Sequence, residues 1–590
     1  MAQSIIDQIK GLEKQAGSAS EKLTQFFELA WQYQMADSPE WSTFLGYTEH
    51  NDRWTDRSSE ANRQRTVNTR LMLQVLQSID SAQLNENDRL SKTLFVRNLE
   101  DDLIAAEFRS ELVETTQMDG VQQSIQRTLE VMPLSTRAQR EQFLARLERV
   151  PEAISQTVAL LTEGIALGIT QPRGPMRGLP EQVANLIVND PSESAMLAAL
   201  QNRPSTVDTA EWEQFRQQAF SLYAGTIRKS LKEFFSFLND RYLPNCRTET
   251  AWSAMPRGRE WYEFMLRKNT TLDLTADQIF ETGHAEVARI RGEMEKVIKL
   301  SGFVGGFDAF TEFLRTDPQF YFTDPDELLR TYRDISKRVD PELVKFFGVL
   351  PRLPYGVIPI PAFMEKQQTT AYYQPGSPQG GRPGYFYANR YNLPSRPKWE
   401  MEALTLHEAV PGHHLQIALA QELEGIPRFR RESWITAYGE GWALYSESLG
   451  EQMGFYADPY AKFGQLTFEM WRAIRLVVDP GLHAKGWSRE QAIQFFMQNS
   501  SKPRHDIEVE IDRYIVWPGQ AVSYKIGELH ISKLRKRAET TLGERFDIRS
   551  FHDELLRFGC VPLAVLTGIV EKWIESKEES GGSHARVMEK

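Results

Sequence analysis

Residues 275–300 read TADQIFETGHAEVARIRGEMEKVIKL. Thr275, followed three residues later by Gln278, has the spacing of a capping box, in which the two side chains satisfy each other's exposed backbone N–H groups. Behind it Ile279, Gly283, Val287, Ile290, Met294 and Val297 recur at steps of three and four, which puts them on one face of an α-helix. Ser301-Gly302 supplies the stop. The spacing predicts one long helix with a single buried stripe.

The same period runs through 20–34, 67–80, 87–106, 137–166, 209–238, 325–347, 489–498 and 519–541. The chain is therefore expected to be mainly α, with these stripes as its core. One stretch differs. Residues 354–395 contain PYGVIPIP, TTAYYQP and GYFYANRY, rich in β-branched and aromatic residues and cut by proline and glycine. They predict a small antiparallel sheet in which the loop PGSPQGGRPG, 375–384, joins two strands. No repeat or low-complexity tract occurs. EESGGSHARVMEK, from Glu578, reads as a disordered tail over 579–590, in which His584 carries no weight.

Composition narrows the class. At 590 residues and 41% apolar content the chain can bury a large core, and length alone suggests about three or four domain-sized units. Its net charge of −11 comes with no basic run, so no nucleic-acid partner is expected and the acidity reads as a solvated surface. Cys246 and Cys560 are the only cysteines, which favours a reducing compartment. MAQSIIDQIKGLEKQ carries Asp7 and no long apolar run, unlike a secretory signal. No window approaches 18 uninterrupted apolar residues, so no membrane span is expected. The expectation is a cytoplasmic globular protein whose oligomeric state is open.

The chemistry concentrates in HEAVPGHH, residues 407–414, which holds three of the ten histidines. In the pattern HExxH, histidines at i and i+4 reach one zinc ion and the glutamate activates a water molecule. Here position i+4 is Pro411. On an unbroken helix His413 would lie about 120° round from His407, and His414 about 10 Å further along the axis. Neither could share an ion with His407. Pro411-Gly412 must therefore interrupt the helix, since proline removes a hydrogen bond and glycine tolerates unusual dihedrals. A local bulge absorbing two residues would return His413 to the i+4 location. His413 is favoured over His414 as the second ligand, and His414 reads either as a neighbour on the helix or as a group that supports a ligand from behind.

A third ligand is expected from ITAYGEGWALYSESLGEQMG, where Glu440 sits between Gly439 and Gly441. Two helical glycines cost about 1 kcal/mol each unless the backbone must approach something closely. Approach to the HEAVPGHH helix would bring Glu440 to the ion; otherwise it is a solvated glutamate. Glu447, seven residues on, would then orient a ligating imidazole. Glu408 is the expected general base.

These motifs, with RYIVWPGQAVSYKIG at 513–527, GREWYEFMLRKNTT at 258–271 and the helix at 276–294, resemble the bacterial family known as domain of unknown function 885, over roughly residues 20–575. That family is similar to the helical zinc peptidases of the thimet oligopeptidase and angiotensin-converting enzyme type. The resemblance implies a two-lobed helical zincin with a deep central channel and a sheet beside the zinc helix. The N-terminal lobe would be 1–260 and the catalytic lobe 261–578, its sheet lying at about 354–395. The resemblance also implies His407, His413 and Glu440 as ligands of one zinc ion, with Glu408 as base.

Hydrolysis of a short peptide needs a further donor to the developing oxyanion. Tyr524 and Tyr514 in the C-terminal motif are the candidates, with His505 third. Arg513 and Lys525 could bind a peptide carboxylate, Asn389 could contact substrate, and a strand within 381–391 could pair with an extended peptide. His284 reads as a core or surface histidine, and His50, His483, His530 and His552 have no partner pattern. A zinc amidohydrolase acting on a non-peptide amide or cell-wall fragment is an alternative reading. So is a catalytically inactive metal-containing binding protein, although a structural zinc has no use for Glu408 and usually takes four protein ligands.

Overall fold

The computed structural model describes residues 2–361, 365, 369–378 and 380–588. The chain forms two compact units, Met1–Gly258 with Pro427–Phe429, and Arg259–Ile426 with Arg430–Lys590. Mainly α architecture holds throughout, and no described helix is long and apolar enough to cross a membrane.

The first unit is helical. Its helices include Ala19–Asp37, opened by a Ser18/Glu21 capping box, and the pair Ser59–Ser78 and Glu86–Glu107. The stripe read at 137–166 is two helices, Arg137–Glu148 and Val150–Leu167, with Pro151 in the first turn of the second. Proline suits that position because its missing N–H would be unpaired there anyway. The stripe at 209–238 likewise passes through a π-helical turn at Tyr223–Ile227. Phe26, Phe27, Phe95 and Phe429 meet as tilted and edge-on ring pairs. Buried Arg146 is held by the carbonyls of Arg53 and His50 and by the Trp54 ring.

The second unit carries the motifs, and only its site-building elements are labelled. Helix α1, Ala276–Leu300, has both halves of the Thr275/Gln278 box, and its buried face contains all six predicted positions plus Ile298. It packs on a long helix, Pro459–His483, so closely that a Cβ on Gly283 would lie 2.7 Å from the Leu476 Cβ. Helix α2, Pro325–Phe346, leads into strands β1 (Tyr355–Pro359), β2 (Ala371–Gln374) and β3 (Gly384–Ala388).

The sheet corrects the expectation of an all-antiparallel arrangement. Its order is β1-β3-β2, with β2–β3 antiparallel and β1–β3 parallel. Alternation and turn residues identify strands but not their partners. Here β3 enters the gap between two strands laid down before it, so Phe386 faces Val357 on one side and Tyr373 on the other. Being central, β3 has no open edge for a peptide, contrary to the strand-pairing expectation.

After the sheet come α3 (Met401–Glu408), α4 (His413–Gln421), α5 (Thr436–Leu449) and α6 (Pro459–His483). Then follow α7 (Arg504–Val516), α8 (Ser523–Leu542), Ile548–Leu556 and Leu563–Met588. That last helix carries the predicted disordered tail as helix up to Met588; residues 589–590 lie outside the described residues.

Candidate metal centre

HEAVPGHH is a helix break rather than a bulge. Helix α3 ends at Glu408, Ala409 leaves helical geometry at φ −101°, ψ −114°, Val410-Pro411 is a cis peptide, and α4 restarts at His413. Gly412 is required: a Cβ there would lie 2.0 Å from the His407 carbonyl oxygen. The His414 N–H donates back to the Ala409 carbonyl (3.0 Å), and the Trp442 indole N–H donates to the Pro411 carbonyl (2.8 Å). The turn is thus fixed from within and from α5.

This break brings His407 and His413 together, with ring centroids 4.8 Å apart. The Nε2 atoms of both lie 3.5 Å from the same oxygen, Glu440 Oε2. That oxygen is buried and has no hydrogen-bond partner. The three candidate ligand atoms fall within 4.8 Å of one another. Donors bonded tetrahedrally to one zinc at ~2.0–2.1 Å stand about 3.3 Å apart, so the donor set and its spacing fit such an ion.

Burial acts to lower the His407 pKa, but Glu440 and Glu447 outweigh it and hold the ring up to about 9. Burial likewise opposes the Glu440 charge, yet His413 and His407 keep its carboxyl far below the usual carboxylate range.

The glycines around Glu440 act differently from the expectation. A Cβ on Gly439 would strike the Trp434 ring at 2.3 Å, and one on Gly441 would lie 2.5 Å from Gly527 Cα on α8. They admit an indole and the α8 backbone, not the HEAVPGHH helix. The approach to α3 is made instead by Gly450, whose Cβ would meet Leu406 Cδ1 at 2.6 Å. Glu447, fully buried, places Oε1 2.8 Å from His407 Nδ1 and 3.6 Å from an Arg472 Nη.

His414 faces the sheet. Its Nε2 lies 3.0 Å from the Leu353 carbonyl, its Nδ1 2.8 Å from the Tyr373 hydroxyl, and its ring 4.6 Å from Tyr355. With both nitrogens engaged it is a strut between α4 and the sheet rather than an outer partner of a ligand. Glu408 is 9% exposed, and its side chain makes no hydrogen bond among the described residues. Trp434, unremarked in the sequence, sets its ring 5.7 Å from that of His413 and is 45% exposed.

The remaining candidates divide. Half-buried Tyr524 lies in the first turn of α8, one turn before the Gly527 contact with α5. Burial and the Glu440 charge both push its hydroxyl pKa up. Tyr514 is fully buried, donates to Glu510 Oε2 (2.6 Å) and accepts from Arg475 Nε and Trp471 Nε1. Its hydroxyl is committed, which removes it as an oxyanion donor. Lys525 Nζ is enclosed by Glu528 (2.6 Å), Glu469 (2.8 Å) and Glu286 (3.2 Å), so it has no capacity for a substrate carboxylate. Asn389 latches its own loop, donating to the Glu365 and Thr369 carbonyls and accepting from the Tyr391 N–H; at 1% exposure it presents nothing to substrate. Arg513 hydrogen-bonds Glu510 and Gln520 beside Tyr514. His505 is exposed in the first turn of α7.

Residues 39–570 match the family described as bacterial protein of unknown function (DUF885). This chain belongs to the DUF885 family. No curated protein matches the chain. Among solved structures, a "putative lipoprotein" from Colwellia psychrerythraea is 25% identical, with a TM-score of 0.90 over 95% of this chain and all of that one. Another so described, of unknown function and from Shewanella oneidensis, has a TM-score of 0.72 at 18% identity, covering 94% of this chain and all of that one; it speaks for the fold alone. The DUF885 match spans α1 through α8 and so contains every residue of the cluster.

Proposed function

We propose that this DUF885 protein is a zinc-dependent metallopeptidase that hydrolyses short peptides. The observation that carries the reading is Glu440 Oε2, an orphaned buried carboxylate oxygen 3.5 Å from two imidazole Nε2 atoms. An ionised oxygen is costly to bury without a partner, and a cation shared with His407 and His413 supplies one.

Three protein ligands rather than four leave a position open, the mark of a catalytic rather than a structural zinc site. When bound, the ion supplies Lewis acidity, polarising a scissile carbonyl and acidifying a water molecule. Glu408, next to His407 and with no side-chain hydrogen bond among the described residues, takes a proton from the attacking water and returns it to the leaving amine nitrogen. Water oxygen goes to the carbonyl carbon as the C–N bond breaks. Tyr524, whose hydroxyl feels the Glu440 charge, would donate to the oxyanion, and Glu447 keeps His407 in the tautomer that leaves Nε2 unprotonated.

The test is product mapping by mass spectrometry on a diverse peptide pool, with metal content measured in parallel. Hydrolysis that disappears with chelator, returns with zinc and is abolished in Glu408→Gln with zinc retained is the expected result. Full activity in that zinc-loaded variant overturns the mechanism. Zinc retention without hydrolysis of any peptide favours the non-peptide amide or inactive binding readings.

A further inference from the structure

Two arginines share one carboxylate beside this centre. Arg475 on α6 and Arg513 on α7 both hydrogen-bond Glu510 Oε2, at 3.2 and 3.0 Å, and the Tyr514 hydroxyl donates to the same oxygen at 2.6 Å. Arg472, the neighbouring arginine on α6, is paired elsewhere, with Glu447. Two guanidinium groups thus share one hydrogen-bonded carboxylate, and buried Asp479 is a further acidic group that feels the Arg513 charge. Both arginine side chains are nine-tenths or more buried, at 7% and 10% exposure. One arm of Arg475, Nη1, is buried and has no hydrogen-bond partner. A buried guanidinium with an unused donor is costly, and its fork geometry suits an incoming carboxylate.

The position points towards the metal centre. The Arg475 guanidinium lies over the Tyr524 ring, 4.5 Å from its centroid. Tyr524 precedes by one turn the Gly527 backbone that touches Gly441, and Gly441 follows Glu440. Tyr524 is common to both places: its ring carries the Arg475 guanidinium, and its hydroxyl feels the Glu440 charge. Lys525, the cation adjacent in sequence, is already neutralised by three carboxylates.

We infer that Arg475, supported by Arg513 and Tyr524, recognises the free α-carboxylate of a peptide, so that the protein acts on peptide C-termini as a carboxypeptidase. This rests on the metallopeptidase reading and names its substrate class. Arg475 binds substrate here; Arg513 and Glu510 position it.

The experiment uses the zinc-loaded full chain carrying Glu408→Gln, which holds peptide without turning it over. Short peptides with a free C-terminal carboxylate are titrated calorimetrically against the same peptides amidated at the C-terminus. The amides are expected to bind roughly 30-fold or more weakly, the loss typical of one partner of a buried charged hydrogen bond. Adding Arg475→Gln should bring the acid down to the affinity of the amide, with zinc content unchanged. Equal affinity of acid and amide, or no binding of either, overturns the proposal without any arginine variant, so a misfolded Arg475→Gln cannot shield it. Acid-over-amide binding in a protein whose wild type hydrolyses nothing overturns the peptidase reading and leaves the carboxylate site standing.

Discussion

His407 is held between two carboxylates of one helix, its Nε2 3.5 Å from Glu440 and its Nδ1 2.8 Å from Glu447. The seven-residue spacing, about two helical turns, is what lets one imidazole span both. Glu447→Gln keeps the volume and an oxygen acceptor but removes the charge that strengthens His407 as a ligand. Zinc affinity, measured by competition with a chromogenic chelator, should fall about 10–100-fold. Unchanged affinity would mean that Glu447 serves packing alone.

His413 and His414, adjacent in sequence, should separate cleanly by substitution. His413→Ala removes an Nε2 of the proposed zinc site, and zinc should be lost with the fold retained. His414→Ala cuts the links to Leu353 and Tyr373; it should keep its zinc yet lose roughly 1–3 kcal/mol of stability, the cost of leaving buried partners unsatisfied. Metal analysis and urea denaturation of the two variants decide it, and the reverse pattern of zinc content would refute the assignment.

Lys525 offers a second separation, between substrate binding and structure. Lys525→Met leaves Glu286, Glu469 and Glu528 around an apolar side chain, with Arg289 the remaining cation on Glu286 and Glu469. Breaking a buried charge cluster in this way costs about 3–5 kcal/mol. The variant should unfold earlier in denaturant, while KM for short peptides in whatever stays folded is unchanged. A raised KM with wild-type stability would restore Lys525 as a substrate ligand.

Much of this was legible in the residues. The α1 stripe was readable because capping, period and stop all agree there, and the need to interrupt HEAVPGHH follows from helix geometry alone. What the helix becomes at the break does not: a bulge and a restart both bring His413 round, and only the Ala409 dihedrals and the Gly412 contact with the His407 carbonyl distinguish them. Gly439 and Gly441 signalled close approach, but a glycine does not name its neighbour, and the neighbours were Trp434 and Gly527. Tyr514, Lys525 and Asn389 drew attention as polar residues in or near motifs, whereas their partners come from distant segments and consume their hydrogen-bonding capacity. Arg475 was missed for the converse reason. It sits among Ala473, Ile474, Val477 and Val478, all buried, and a charged residue on that apolar face was the available signal.

Acid should weaken the protein through His552, outside the metal centre. It is fully buried, with Nδ1 2.9 Å from the Phe346 carbonyl and Nε2 2.8 Å from the Tyr445 hydroxyl. Nδ1–H donates to the carbonyl, so Nε2 accepts from the tyrosine, whose oxygen also accepts from Arg535. Protonating Nε2 would set a donor against that arrangement, and burial pushes the ring down from the ordinary 6.5 to about 3. Above pH 6.5 both folded and unfolded states hold the ring neutral, and the stabilisation is complete. As pH falls from 6.5 towards 3 the unfolded chain takes up a proton that the folded one refuses, so stability drops by up to about 1.4 kcal/mol per pH unit. Urea midpoints from pH 7 to pH 4 at fixed zinc should therefore fall more steeply for wild type than for His552→Gln, by about one proton's worth of slope. Parallel slopes would show that the buried ring titrates as it does in the unfolded chain.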